Sequence, residues 1–406
     1  MVENIPEGYK KTEVGIIPKD WECVELGDVV EYVKGYAFRS KYYRKNGVRI
    51  IRVSDTTFNS IKDDAAIYID PRYAYEYDNW KLLEDDIIVS TVGSKPPMYD
   101  SLVGKSILIN KDYAGSLLNQ NAVVLRSKSK NQKLIYANLR QLNYIKHIEM
   151  IFRGNANQAS ITLNELFKFN FAIPKALDEQ QNIANALSDI DELISSITKL
   201  IEKKKNIKQG AIQALLTGKK RLDGFSGTLI EKEIDDIFNI TAGGDLCIES
   251  FSRFKTHNNI YKVFSNAITY NGFYGYTTNY KYEGDTITVT ARGNIGYANY
   301  RNEKYDAIGR LLVLKPKIQV NCYFITEYIN DRIDFIVEST GIPQLTAPQI
   351  SKYIIKIPDY EEQTAISQIL SDMDTEIEKL NQKLNKYNDI KQGMMQELLT
   401  GKRRLI

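Results

Sequence analysis

The sequence is poor in the residues on which most catalytic and metal chemistry depends. Its 406 residues include three cysteines, two histidines and two tryptophans. Cys23, Cys247 and Cys322 are odd in number and far apart, which argues against a disulfide framework and against a paired-cysteine metal site. His147 and His257 leave histidine-based zinc and triad chemistry poorly supplied. No apolar run approaches the roughly 20 residues a membrane span requires. The opening "MVENIPEGYKKTEVG" lacks the charged-then-apolar layout of a secretory signal, so no membrane association and a cytoplasmic location are expected. A formal charge of +3 is too small to argue for any partner by itself. The string "GKS" at Gly104 resembles the end of a phosphate-binding loop, but Tyr99 stands where that loop needs its first glycine. No metal and no cofactor are therefore expected on this chain.

What the chain does have is length, tyrosine and a repeat. With 43% hydrophobic and 26% charged residues it can fill the cores of two ordinary domains. Its 27 tyrosines accompany 54 lysines and arginines, a combination that offers stacking faces beside cations, although tyrosine is also an ordinary strand residue. The stretch "IKQGAIQALLTGKKRL", ending at Leu222, returns as "IKQGMMQELLTGKRRL", ending at Leu405. Placing Gln209 on Gln392 gives an offset of 392 − 209 = 183, which holds without a gap from Asp178 to Leu222 against Glu361 to Leu405. About twenty of these positions are identical, which identifies an internal duplication. Upstream, "FNFAIP" ending at Pro174 resembles "IIKIP" ending at Pro358.

Each copy carries a heptad pattern. Ile183, Leu187, Ile190, Ile194, Ile197 and Ile201 alternate spacings of four and three, as do Ile366, Leu370, Met373, Ile377, Leu380, Leu384 and Tyr387. The spacing predicts two long helices, entered after Pro174 and Pro358 and ended by Gly218 and Gly401. Two rods with one narrow apolar stripe each most simply bury those stripes on one another. The other reading is two independent amphipathic helices, each lying on its own domain. Gly210 and Gly393 fall inside the pattern, where glycine costs about 1 kcal/mol relative to alanine, and suggest a close helix contact or a bend.

The remaining segments are rich in β-branched residues, tyrosine, glycine and short alternating runs, and read as mixed α and β domains. Fainter parallels link them. "ELGDVVEYVKG" ending at Gly35 parallels "EIDDIFNITAG" ending at Gly243, "EDDIIVSTVGS" parallels "EGDTITVTARGN", and "LNQNAVVLRSK" parallels "IGRLLVLKPK". The expected fold class is α+β, with domains at 1–176 and 223–358 and helices at 177–222 and 359–406, in a pseudo-two-fold repeat. Rods that stay alike do one job twice, while diverged domains do two different jobs.

The combination of "YKKTEVGIIPKDWECVELGDV", of "IP" followed by "DEQ" or "EEQ" at the mouth of a heptad helix, and of "IKQG" followed by "LLTGK" resembles the DNA-specificity subunit of type I restriction-modification systems. The resemblance covers essentially the whole chain, and the combination is specific where each fragment alone is weak. It implies two target-recognition domains that each read one half of a bipartite sequence in double-stranded DNA. It further implies that the helices pair as an antiparallel coiled coil that fixes the half-site spacing. Two modification subunits, which carry S-adenosylmethionine and the adenine methyltransferase chemistry, would dock on that scaffold, and restriction subunits would join the larger complex. The chain ends would then lie close together.

The chain itself is expected to be non-catalytic. Adenine methylation needs an Asp or Asn, two prolines and an aromatic, whereas "SKPPMYD" has Lys95 and Met98 at the outer positions and reads as a turn. Base reading calls for Arg, Lys, Asn and Gln forks with aromatic contacts. The first domain offers Lys34, Tyr36, Phe38, Arg39 and Lys41 after a glycine bend, Ser94 and Lys95 in "STVGSKP", and Arg153, Asn155, Asn157 and Gln158 in "FRGNANQAS". The second offers Tyr270, Asn271, Tyr274, Tyr276 and Asn279, then Arg292, Asn294, Tyr297 and Arg301. By the internal parallels, Ser94 and Lys95 correspond to the loop at Arg292 to Asn294, and Gln158 to the region of Gln344. Two other functions fit the layout: a coiled-coil scaffold or adaptor with two protein-binding domains, and the recognition subunit of another multisubunit restriction-modification enzyme.

Overall fold

Short continuous apolar runs such as Ile87–Val89 and Val123–Leu125 specify strands buried on both faces, and in the computed structural model that is what they form. The structure describes residues 5–95, 98–155, 158–336 and 343–406. The chain divides into two units, Met1–Ile197 with Lys383–Ile406, and Thr198–Gln382.

In the first unit a four-stranded sheet has the order Ser106–Leu108, Ile87–Ser90, Ala122–Ser127, Val30–Lys34, all antiparallel. A second sheet has the order Leu117–Leu118, Val48–Ile51, Ile67–Ile69, Tyr43–Arg44, its first pair parallel. Alternation along the first sheet separates two cores. Ile87, Val89, Val123 and Leu125 face the helices Gln132–Asn138 and Leu142–Ile151 together with Trp21, while Ile88 and Val124 face Ile51 and Leu118 of the second sheet.

The second unit repeats this plan. Its first sheet runs Ala298–Arg301, Thr286–Val289, Leu312–Pro316, Phe238–Ala242, and its second runs Tyr305–Ala307, Tyr261–Phe264, Phe273–Thr277, Phe251–Ser252, again with a parallel first pair. Ile287, Val289, Leu312 and Leu314 face the helix Cys322–Arg332, and Val313 faces Phe264 and Tyr305. The parallels read from the sequence recur as backbone geometry. Asp85 and Asp285 both hold a left-handed conformation (φ 66° and 59°), as do Asn121 and Arg310 (φ 70° and 69°). Gly35 and Gly243 are required for close approach: an added Cβ would fall 1.8 Å from the Asn119 carbonyl oxygen and 2.6 Å from that of Ala307.

The two heptad segments form the long helices Leu177–Leu215 and Tyr360–Leu398, 39 residues each and about 58 Å long. Gly218 and Gly401, with φ 67° and 71°, stand just past their ends. Within the first unit Lys391 meets Asp191 and Arg404 meets Glu179; within the second, Lys204 meets Glu376, Lys208 meets Asp374 and Arg221 meets Glu362. In each unit the numbers rise along one helix as they fall along the other, so the helices run antiparallel. The stripe is not spent wholly on the other helix. Ile183 and Leu187 join the helix-side core of the first domain with Leu398 and Leu399, and Ile366 and Leu370 join that of the second with Leu215 and Leu216. Farther along, Ile190, Ile197, Ile201 and Ile377 are buried, and Ile194, Met373, Leu380, Leu384 and Tyr387 are half-buried.

The repeated words now acquire causes. Gln180 donates to the Pro174 carbonyl (2.7 Å) and accepts from the backbone of Asn131, the N-cap of Gln132–Asn138; Gln363 does the same with Pro358 (2.9 Å) and Asn321, the N-cap of Cys322–Arg332. Glu179 and Glu362, 3% and 1% exposed, receive Arg404 and Arg221, and Asp191 and Asp374 receive Lys391 and Lys208. Each of these acids, and each cation it receives, differs by 183 in number from its counterpart in the other copy. The first unit also brings the ends of the chain together, with Tyr9 Oη donating to the Gly401 carbonyl at 3.0 Å.

Gly210 and Gly393 are not at a close contact. Both are exposed, and an added Cβ would meet nothing within 4 Å. Gly210→Ala and Gly393→Ala should therefore each stabilise the isolated chain by about 0.5–1 kcal/mol, read as a raised denaturant midpoint. A lowered midpoint would show that the helix needs glycine's backbone freedom there.

Candidate nucleic-acid interface

In the first domain the glycine bend at Gly35 turns the chain out of the first sheet. Beyond it Arg39 and Lys41 are exposed, and the Lys41 ammonium stands 4.9 Å from the centre of the Tyr42 ring. Lys34 is exposed at the rim of a cleft of about 490 Å³ that also takes in Thr91, Asn121, Thr162 and Asn164. Phe38 does not belong to this surface. It is 8% exposed, packed with Ile50, Ile69 and Leu117 of the second sheet, because the apolar side of that small sheet needs a cover. Tyr36 is half-buried beside it, its ring 4.4–5.2 Å from those of Phe38, Tyr77 and Trp80, so it braces the loop from beneath.

Two stretches far apart in sequence meet in a three-stranded sheet. Val92–Gly93 pairs with Gln158–Ser160, which pairs with Arg153–Asn155, so Lys95 and Gln158, both exposed, emerge from neighbouring strands. Arg153 is exposed and paired with Glu165 at 2.7 Å, an arrangement that holds the Glu165 carboxyl below its usual range through the Thr162 hydroxyl and the Arg153 guanidinium. Ser94 is 7% exposed and accepts from the Ser101 hydroxyl at 2.9 Å; it shapes the loop and offers nothing outward. Asn157 lies outside the described residues, and of Asn155 only the backbone lies among them.

In the second domain Tyr270 is 88% and Tyr274 51% exposed, and Asn271 and Asn279 are exposed with them. Tyr276 is half-buried, its ring 5.2 Å from Phe273. Arg292 and Asn294 are exposed, and Tyr297 is exposed at 37%. The Arg292 guanidinium donates twice to Gln344 Oε1, at 3.0 and 2.7 Å, which orients that amide. The correspondence between the two domains holds at this point: the Ile161 amide donates to the Thr91 carbonyl as the Leu345 amide donates to that of Ala291. Arg301 is misplaced by sequence reasoning. It is 5% exposed, stacked 3.6 Å from the Phe264 ring centre and bonded to Thr288 Oγ1, so it has no fork free for a base.

Sequence reasoning also missed residues. Arg253 and Lys255 flank Phe254, which is 80% exposed, and the same basic-and-aromatic signal that singled out the other loops is present in "SRFKTH". Tyr73 and Tyr75, 48% and 70% exposed, were hidden among acidic neighbours. Among the described residues no cluster of His, Cys, Asp and Glu could hold a metal ion, and no helix is long and apolar enough to cross a membrane.

Two domains of one topology, each with an exposed rim of cations, amides and aromatics and each joined to a long helix, define a bipartite recognition protein. The sequence profile described as type I restriction modification DNA specificity domain matches residues 18–209 and again 229–388, and the chain belongs to that family. A chain of Methanocaldococcus jannaschii assigned as the MjaX type I restriction enzyme specificity subunit is 26% identical over 430 aligned positions, covering 98% of this chain and 97% of that one. A second relative, the type I restriction enzyme MjaVIII specificity subunit of the same organism, is 26% identical over 53% of this chain and 50% of its own. The crystal structure of a type I restriction-modification S subunit from M. genitalium shares the fold, with a TM-score of 0.68 at 16% identity over 93% of this chain and 96% of that one.

Proposed function

We propose that this chain is the DNA-reading subunit of a type I restriction-modification complex in the cytoplasm, each domain recognising one half of a bipartite target in double-stranded DNA. The observation that carries the reading is the duplication itself: one topology twice, with diverged rims, on helices whose buried glutamate, paired to an arginine, is repeated at a fixed offset of 183. In this reading the helices pair as an antiparallel coiled coil that sets the half-site spacing. They also dock two modification subunits, which bring S-adenosylmethionine and the methyl-transfer chemistry, and restriction subunits complete the assembly. Ile207 and Ile390 support the docking part. They occupy equal places in the repeat, are 46% and 39% exposed, and lie one turn from the open positions at Gly210 and Gly393. Ile207→Asp and Ile390→Asp should each remove one modification subunit from the assembly, read as a stepwise loss of mass; retention of both subunits in the double variant contradicts the docking assignment.

The DNA-reading part is tested by binding at several salt concentrations. Phosphate contacts release counterions, so the logarithm of the affinity should fall linearly with that of the salt concentration, on top of a sequence preference. A scaffold for protein partners would show neither.

A further inference from the structure

Each domain buries one cation that is in ion-pair contact with no carboxylate among the described residues, and the two cations stand at opposite ends of the same edge strand of the shared topology. Lys105 immediately precedes Ser106–Leu108, and Arg301 ends the counterpart strand Ala298–Arg301; they are 3% and 5% exposed. The Lys105 ammonium donates to the carbonyls of Asp100 (2.7 Å) and Thr56 and reaches that of Val53 at 3.4 Å. Arg301 donates to the carbonyl of Asn271 at 2.7 Å. Both therefore reach from the first sheet to one connection of the second, the segment that follows Val48–Ile51 in one domain and Tyr261–Phe264 in the other. Burial pulls the ammonium down to about 8 and the guanidinium down to about 10, which shows that neither position is an easy home for charge. Apolar side chains would fill these sites at less cost, but would leave the carbonyls of the connection untied.

What the cations hold is exposed and shaped. In the second domain Tyr270, Asn271 and Gly272 take three successive left-handed conformations, φ 52°, 53° and 80°, and this strained tip presents the Tyr270 ring to solvent. The Asn266 side chain links the segment to the Arg292 loop by accepting from the Ala291 amide at 2.7 Å. In the first domain the connection carries a turn at Thr57–Ser60, closed by the Thr57 amide on the Ser60 carbonyl at 2.8 Å. Arg140 stacks 3.8 Å from the Phe58 ring centre and donates to Phe58 O and Asn59 Oδ1, while the Phe58 amide donates to Asp100 Oδ1 at 3.3 Å beside exposed Tyr99. Asp100 lies in the segment that the Val103 amide closes on the Ser94 carbonyl at 2.9 Å, so the turn is bonded to the segment that carries Lys95.

We infer that Lys105 and Arg301 are positioning residues that hold these two connections as DNA-reading loops, so that Asn59 joins the interface of the first domain in the place that Tyr270 and Asn271 take in the second. The inference rests on the DNA-reading function proposed above. An amide edge and an aromatic face are the groups that read base edges and stack on unstacked steps or sugars.

The test selects bound sequences from a randomised double-stranded DNA library, using the full chain with its modification subunit. Lys105→Met and Asn59→Ala should each lower the preference at one half-site at least about tenfold and leave the other half-site intact. Arg301→Met and Tyr270→Ala should do the reverse, and Lys105→Arg and Arg301→Lys should recover part of the loss. Asn59→Ala and Tyr270→Ala alter exposed side chains, so their result does not depend on folding of the buried variants. If both leave both half-sites at wild-type preference, or erode the two equally, the inference fails while the proposed function stands. A wild-type chain that selects no bipartite sequence overturns both.

Discussion

Replacing Arg404 with alanine should destabilise the first unit by about 3 kcal/mol. Glu179 is 3% exposed, and beyond the two bonds from Arg404 its carboxylate has the Trp21 indole N–H at 3.2 Å. Loss of the guanidinium leaves a buried charge with one neutral donor, a change that in general costs about 3–5 kcal/mol. The lower end applies because Arg404 is itself 22% exposed and its second partner, Asp20, faces solvent. The Asp20 carboxyl, held below its usual range chiefly by the Arg404 guanidinium, should return toward it in the variant. Arg221→Ala should produce the same effect in the second unit, where Glu362 is 1% exposed. Denaturant unfolding with hydrogen exchange resolved by unit checks both. A loss under 1 kcal/mol would class these as surface pairs. Replacing both members with apolar residues should cost much less than removing the arginine alone, because no orphaned charge remains.

Seven residues inserted into each long helix, keeping the heptad phase, add about 10.5 Å of length, or about 3 base pairs of duplex. The two half-site sequences should stay as they are while the unspecified gap between them grows by about three. Unchanged spacing, or altered half-sites with an unaltered gap, would remove the helices from the measuring role.

Much of this protein was legible in its sequence, and the parts that were not share a cause. The duplication, the helices between Pro174 and Gly218 and between Pro358 and Gly401, and the burial of the stripe follow from residue spacing, which is local information. Spacing reports that Ile183 and Leu187 are buried, not what buries them; their partners in the globular core lie far away in the chain. The Glu-Gln words were visible as repeats, yet their meaning needed Arg404 and Arg221, 225 and 141 residues distant. At the interface, residue type alone ranked Arg301 and Phe38 as contacts, because a buried arginine in "ANYR" and a covering phenylalanine in "AFRS" look like their exposed neighbours. The turn at Phe58 and Asn59 escaped for the opposite reason. Its cation, Arg140, is supplied from about eighty residues away.

Under the proposed function, this chain chooses where a partner methylates DNA. Single-molecule sequencing of DNA from cells that express the chain with its neighbouring modification subunit, mapping methyladenine by motif, tests it most directly. One bipartite motif with a fixed unspecified gap is expected, lost when the chain is deleted. Methylation that is absent, or that persists unchanged without the chain, would contradict it.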